Sequence, residues 1–250
     1  MALGYSLVED VPVLSLPARP AIFPPVSSAH LREPTSGFLV TFEGGEGSGK
    51  SSQIERLADF LRGEGHEVVT AREPGTTRVG EAVREVLLQT SLEDLAAESE
   101  LALFLAARAQ LAAEVVWPAL AAGKVVLLDR FGDSSVAYQG YGRGLDPERV
   151  AALNAFFTGG LEPDVTVLID VAVEASAERS KERPMDRIER AGDLFHRRVR
   201  QGYRAMAMNE PERFVVLDGT DSIETVQLAI RDLIRDALAA RILTPRTESS

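Results

Sequence analysis

The feature that narrows this chain most is the run FEGGEGSGKSS at positions 42–52. Its centre, Gly44-Gly45-Glu46-Gly47-Ser48-Gly49-Lys50-Ser51, has the spacing G-x-x-x-x-G-K-[ST] of a phosphate-binding loop. The apolar run FLVTFE (38–43) precedes it and an amphipathic helical pattern follows, which is the context the motif requires. Glycines let the backbone curl so that successive N–H groups point at phosphate oxygens, and the helix N-terminus adds its positive end. In such a loop Lys50 bridges the β- and γ-phosphates and the Ser51 hydroxyl ligates Mg2+. Gly44, Gly45, Glu46, Gly47, Ser48, Gly49 and Ser52 complete the cradle. A plain glycine-rich turn would need neither the lysine nor the hydroxyl. The loop fixes a nucleotide, with ATP expected, but switches, motors and small-molecule kinases all use it. It also poses a question of charge, because Glu46 puts a carboxylate where a triphosphate is to be held.

The rest of the chain supplies a fold around the loop. FLVTFE (38–43), HEVVT (66–70), KVVLLD (124–129), VTVLID (165–170) and FVVLD (214–218) read as strands. Helical patterns lie at roughly 50–64, 79–89, 95–121, 147–157, 174–183, 187–209 and 222–240. Apolar strands separated by helices predict an α/β fold, a doubly wound five-stranded parallel sheet with helices on both faces, because each parallel crossover needs a covering element. Asp146-Pro147 reads as an N-cap with a first-turn proline, and Gly123 as the residue after a helix end. Residues 1–36 hold six of the thirteen prolines without any period and read as a flexible tail, as does 242–250. One domain is expected between them, over 37–241.

Composition limits the partners. With 27 basic and 38 acidic residues the formal charge is −11, which opposes nucleic acid and anionic membranes, so any phosphate must be gripped locally. The absence of cysteine excludes disulfides, thiolate metal sites and cysteine nucleophiles. The start MALGYSLVEDV has neither a basic flank nor a long apolar run, and a cytoplasmic protein is the expectation.

The acceptor side is marked by arginines near strand ends, where open α/β sheets gather their ligands. Arg72 follows the second strand run, Arg130 follows the third, and Arg108 lies in the long helical run between them. Guanidinium forks suit phosphates and base edges, and this set fits two phosphorylated ligands better than one. No Asn-Lys-x-Asp base-reading motif is present, which disfavours a GTPase switch. In ASAERSKERPMDRIER (175–190), Arg179, Lys181 and Arg183 fall within five residues, and Arg179 and Arg183 share a helix face. The stretch reads equally as a lid closing over a transferring phosphoryl group or as a solvated helix paired with Glu178, Glu182 and Glu189.

Five segments in order, FEGGEGSGKSS, TAREPGTT (70–77), FLAARAQL (104–111), DRFGDSSVAYQGYGRG (129–144) and the basic stretch ending MDRIE (185–189), resemble the thymidylate kinases. These are P-loop kinases that use ATP and Mg2+ to make dTDP from dTMP, a step in dTTP synthesis. The resemblance covers about 38–235 and implies the P-loop kinase fold. It implies Phe104 as the ring that stacks on thymine and Arg108 as a donor to the base carbonyl. Ser135 and Tyr138 match positions facing base and sugar, Tyr138 standing where a ribose 2′-OH would clash; Ser134 and Gln139 join them. Arg130 matches the grip on the dTMP phosphate, and Asp129 orients it or reaches Mg2+ through water. Arg72 and Glu73 line the same cavity, and Glu46 would reach the sugar 3′-OH and pair with a lid arginine. With no arginine in the variable loop positions, Arg179, Lys181 and Arg183 match a catalytic lid, Arg183 foremost.

Two positions depart from the family pattern. Thr76 replaces the second glycine of REPGG, so the turn there must use other angles or a hydroxyl cap. Phe131 replaces a polar aromatic. A homodimer is implied, and the run 101–122 would serve as its face or equally as a core helix. Another nucleoside monophosphate or deoxynucleoside kinase, or a non-catalytic ATP-binding module, would share the loop and differ at the acceptor.

Overall fold

The computed structural model describes residues 36–92, 94–179 and 185–243. Most of both tails, and Lys181 and Arg183 of the basic stretch, lie outside these residues. Strands β1 (Phe38–Glu43), β2 (Val68–Arg72), β3 (Val125–Asp129), β4 (Val165–Asp170) and β5 (Phe214–Asp218) form one parallel sheet in the order β2-β3-β1-β4-β5. The helices are α1 (Lys50–Gly63), α2 (Arg78–Leu88), α3 (Ala97–Leu111), α4 (Trp117–Ala121), α5 (Gly132–Ser135), α6 (Pro147–Thr158), α7 (Val173–Arg179), α8 (Asp193–Asn209) and α9 (Ile223–Leu243).

Strand alternation explains the layers. Phe38, Val40 and Phe42 of β1 pack with Leu57 and Leu61 of α1 and Ile230 and Ile234 of α9. On the other face Leu39 meets Leu111, Val116 and Leu120. Burial on both faces is why β1, β3 and β4 read as nearly continuous apolar runs. The chain runs from β1 to β2 and β3 on one side and from β4 to β5 on the other, so the sheet order reverses at the carboxyl end of β1. Ligands of doubly wound sheets bind at such a crevice.

Several elements differ from their sequence expectations. β2 ends at Arg72, two residues later than read, because its ladder with β3 runs from Val68↔Val125 to Arg72↔Asp129. The helical run over 95–121 is α3, a π-helical turn at Ala112–Val116, and α4. There Trp117 N–H reaches back to the Ala112 carbonyl just before Pro118, which has no N–H to give. Ala97–Ala121 is long and apolar enough to cross a membrane by length and composition; here its residues pack in the layers against the sheet and α8. The run over 187–209 splits at Gly192, whose φ of 86° ends a short 3-10 turn before α8. Residues 132–142, not read as helical, form α5 and a second π-helical segment, Val136–Gly142.

Candidate active site

The phosphate-binding loop leaves β1 in a conformation that only glycine tolerates. Gly44 has φ 136°, and a Cβ there would stand 2.4 Å from the Ile169 carbonyl oxygen. Gly49, at φ 96°, turns the chain into α1. Lys50 is buried, and its Nζ donates to the carbonyls of Gly44 (3.2 Å) and Gly45 (2.9 Å) and to Ser48 Oγ (3.3 Å). Burial, with Arg130 nearby, pushes the Lys50 ammonium down to about 8. Ser51 Oγ donates to Asp129 Oδ2 at 2.7 Å, which joins the start of α1 to the end of β3.

Arg130 follows β3 with φ 70°, a left-handed conformation that costs energy for any residue with a Cβ. Flanking bonds hold it there. Arg130 N–H donates to the Phe42 carbonyl (3.0 Å) and Phe131 N–H to Glu43 Oε1 (2.8 Å). Nη1 of Arg130 reaches the Gly44 carbonyl (2.9 Å), Tyr203 OH (3.2 Å) and Ser134 Oγ (3.3 Å), while Nη2 meets Glu46 Oε1 at 2.5 Å. The guanidinium carbon lies 5.1 Å from the Tyr138 ring centre. Burial opposes this charge, but Glu46, together with Tyr138, Tyr203 and Asp129, raises the Arg130 pKa well above its ordinary value. Glu46, a third exposed, therefore has a ready cationic partner in Arg130 from the end of β3.

Beneath Arg130 lies Glu43, fully buried, which also accepts from Ser134 Oγ (2.6 Å) and Tyr203 OH (2.8 Å). Burial, with Asp133 adding repulsion, pushes this carboxyl up to about 7. Neither Glu43 nor Tyr203 was named from sequence. Their separation of 160 positions gives no local signal.

The cleft wall includes Phe104, Ser135, Tyr138, Gln139 and Glu73 together with Leu88 of α2. Arg108 does not line it. Its buried guanidinium donates from Nε to Glu73 Oε2 (2.7 Å), from Nη1 to Ser135 Oγ (2.8 Å) and Asn154 Oδ1 (2.5 Å), and from Nη2 to the Phe131 carbonyl (3.0 Å). It fastens the walls from behind. Phe131 points into the core, where losing a polar handle costs nothing. Two buried atoms of the wall, Glu73 Oε1 and Tyr138 OH, have no hydrogen-bond partner among the described residues. Buried polar atoms without a partner are uncommon in folded proteins.

The loop after β2 also lines the cleft. Thr76 takes φ 69°, and its hydroxyl accepts from Arg72 N–H (2.9 Å) and donates to the Arg72 carbonyl (3.2 Å), so the turn combines a glycine-like angle with a hydroxyl cap. Arg72 makes a two-pronged pair with Glu81 at 3.0 and 3.1 Å. Arg84, not singled out from sequence, donates to the Pro74 carbonyl (3.0 Å) and lines the cleft. Its place on the inner side of α2 was the available signal.

Arg179 reaches over the phosphate loop to the carbonyls of Gly47 (3.4 Å) and Gly219 (2.9 Å). Lys181 and Arg183 lie outside the described residues. The cleft, about 450 Å³, gathers Glu46, Gly47, Ser48, Gly49, Lys50, Ser51, Ser52, Arg72, Asp129, Arg130, Ser134 and Arg179 in addition to the wall residues above. Gly44 and Gly45 face a second cavity of about 120 Å³ behind the loop.

A cleft lined by both cationic and aromatic and amide side chains suits a nucleotide facing a second phosphate, and comparison with known proteins agrees. The sequence model of thymidylate kinase matches residues 42–230. The chain is 49% identical over 211 residues to a thymidylate kinase of Desulfovibrio desulfuricans, covering 81% of this chain and 97% of the relative. It is 49% identical over 200 residues to one of Pseudomonas putida, covering 80% and 95%. The crystal structure of thymidylate kinase from Ehrlichia chaffeensis superposes with a TM-score of 0.65 at 34% identity, over 80% of this chain and 98% of that one. With the match spanning nearly the whole of its relatives and most of the folded chain, the protein belongs to the thymidylate kinase family.

Proposed function

We propose that the chain transfers the γ-phosphoryl group of ATP to dTMP in a Mg2+-dependent reaction, with the cleft residues in definite roles. One observation carries this reading: the cations Lys50, Arg130 and Arg179 line the same cleft as Phe104, Tyr138 and Gln139. Ser51 and Asp129 fit Mg2+, since a hydroxyl and a carboxylate 2.7 Å apart are hard oxygen donors and Mg2+ takes few protein ligands beside phosphates and water. Bound there, the ion would neutralise charge on the phosphate oxygens of ATP.

Loop N–H groups and Lys50 hold the β- and γ-phosphates of ATP. Arg130, fixed by Gly44, Ser134 and Tyr203, grips the dTMP phosphate and aligns its oxygen with the γ-phosphorus. Glu46 limits the net positive charge at Arg130 and offers an acceptor to the sugar 3′-OH. Phe104 stacks on thymine, Ser135, Gln139, Arg72 and Glu73 shape its surroundings, and Tyr138 excludes a 2′-OH. Arg108 acts through Glu73 and Ser135. Arg179, with Lys181 and foremost Arg183, covers the transferring group in a lid at about 175–190. No general base is assigned, because a phosphate monoester oxygen is already anionic near neutral pH.

The functional unit is a single domain over 37–241, cytoplasmic, and paired as a homodimer. Pairing is supported by apolar side chains left exposed on two helices that flank α3, Val79 and Val86 on α2 and Phe156 and Phe157 on α6. The test of activity is ADP release with ATP and Mg2+ against dTMP, dUMP, dCMP and thymidine. Preferred turnover of dTMP is expected; preference for thymidine, or turnover of none, overturns the reading.

A further inference from the structure

Glu100 of α3 is an acid with no exposed surface, and its carboxylate is fully engaged. Oε1 accepts from Gln139 Nε2 (2.9 Å) and Arg143 Nε (3.1 Å), and Oε2 accepts from Arg143 Nη2 (3.0 Å) and pairs with Arg187 Nη2 at 2.7 Å. Burial opposes its charge, but these donors outweigh that and hold the carboxyl below its ordinary range. An ionised carboxylate accepts and cannot donate. The Gln139 amide therefore has one tolerable orientation, with its NH2 toward Glu100. Turning it over would set the amide oxygen against a carboxylate oxygen. Gln139 lines the cleft near Phe104 and Ser135, and no donor among the described residues occupies its Oε1. Its backbone is fixed as well, since Leu145 N–H donates to the Gln139 carbonyl at 3.1 Å.

We propose that Glu100 is a specificity-determining positioning residue: by holding Gln139 with its amide oxygen toward the cleft, it makes the site select a base that presents a ring N–H. Thymine and uracil carry such a donor at N3. Cytosine carries a bare acceptor nitrogen there, which would face the Gln139 oxygen with no proton between them. Sites built to receive a particular hydrogen-bonding group reject analogues lacking it by large factors, because the buried partner is left unpaired. The two arginines explain why a carboxylate can be afforded in so dry a place. Arg187 also donates to the Leu87 carbonyl at 2.9 Å, so the same acid ties the base end of the cleft to α2 and to the chain just beyond the basic stretch. The proposal rests on the cleft being the site of dTMP.

The test compares kcat/KM for dUMP and dCMP, which both lack the 5-methyl group, in the wild type and in Glu100→Gln, with dTMP as reference. The wild type is expected to favour dUMP by about 100-fold or more. Glu100→Gln, whose amide can donate as well as accept, lets Gln139 turn over. The ratio should then fall by about tenfold or more, mainly through KM, with KM for ATP unchanged. Glu100→Asp keeps the charge for both arginines but draws it away from Gln139. It should lower the same ratio while melting close to wild type, which covers the case in which Glu100→Gln folds poorly. Folded variants with the wild-type ratio, or a wild type that uses dCMP as readily as dUMP, overturn the proposal. Turnover of none of the three nucleotides by the wild type removes the underlying reading of the cleft, and the proposal with it.

Discussion

Lys50, Arg130 and Glu43 acquire their chemistry from where β1 and β3 stop. Lys50 sits in a dry loop beside another cation, so its proton is held less tightly than in water. The charged form is the one that binds phosphate, and it is lost as pH rises through about 8. Since kcat/KM describes the free enzyme, kcat/KM for ATP should fall above that pH, while kcat at saturating ATP should fall only at higher pH because bound phosphates retain the proton. Superimposable profiles for the two parameters would contradict this. For Glu43 the sign is opposite. Its folded pKa, about 7, exceeds its unfolded value, so its stabilising contribution is present below the ordinary carboxylate range and is lost as pH rises through 7. Glu43→Gln removes that titration, and thermal melts should show its stability relative to wild type improving between about pH 5 and about pH 8. A constant difference would place the titration elsewhere. At this scale the phosphate loop and its lysine were legible in the sequence because their chemistry is local. Glu43, Ser134 and Tyr203 converge only through the sheet, and the inward turn of Arg108 depends on Glu73, Ser135 and Asn154 meeting around it.

Among the elements, α2 supplies two side chains to the cleft wall. The Thr77 side chain caps it by accepting from Gly80 N–H at 2.9 Å, and the helix carries Arg84 and Leu88 to the cleft wall. Thr77→Ala should cost about 1 kcal/mol in denaturant melts and raise KM for dTMP more than KM for ATP. Equal effects on the two constants would mean that α2 does not shape the acceptor side. Strands and most helices were legible because their apolar periods are regular. The segment 132–142 was not, because Gly140 and Gly142 are poor helix formers and a π-helical turn shifts the spacing of the buried face. Gly142 is there for space: a Cβ would stand 2.6 Å from the Phe195 ring. Phe195 is on α8, so packing in the folded chain, not local preference, fixes this element.

For the whole molecule, the proposed pairing would cover the exposed valines of α2, Val79 and Val86. Val86→Asp would put a carboxylate on the proposed pairing face without touching the cleft lining. Sedimentation should show a dimer for wild type and a shift toward monomer for the variant, and a wild-type monomer would refute the pairing. The central claim is that one cleft holds both nucleotides with Arg130 on the acceptor phosphate. It is tested most directly by steady-state kinetics of Arg130→Ala with dTMP varied at saturating ATP, alongside ATP affinity measured by titration. The expected result is a loss of about 100-fold or more in kcat/KM for dTMP, with ATP affinity changed little. A variant that keeps wild-type kcat/KM for dTMP, or loses ATP and dTMP equally, would contradict it.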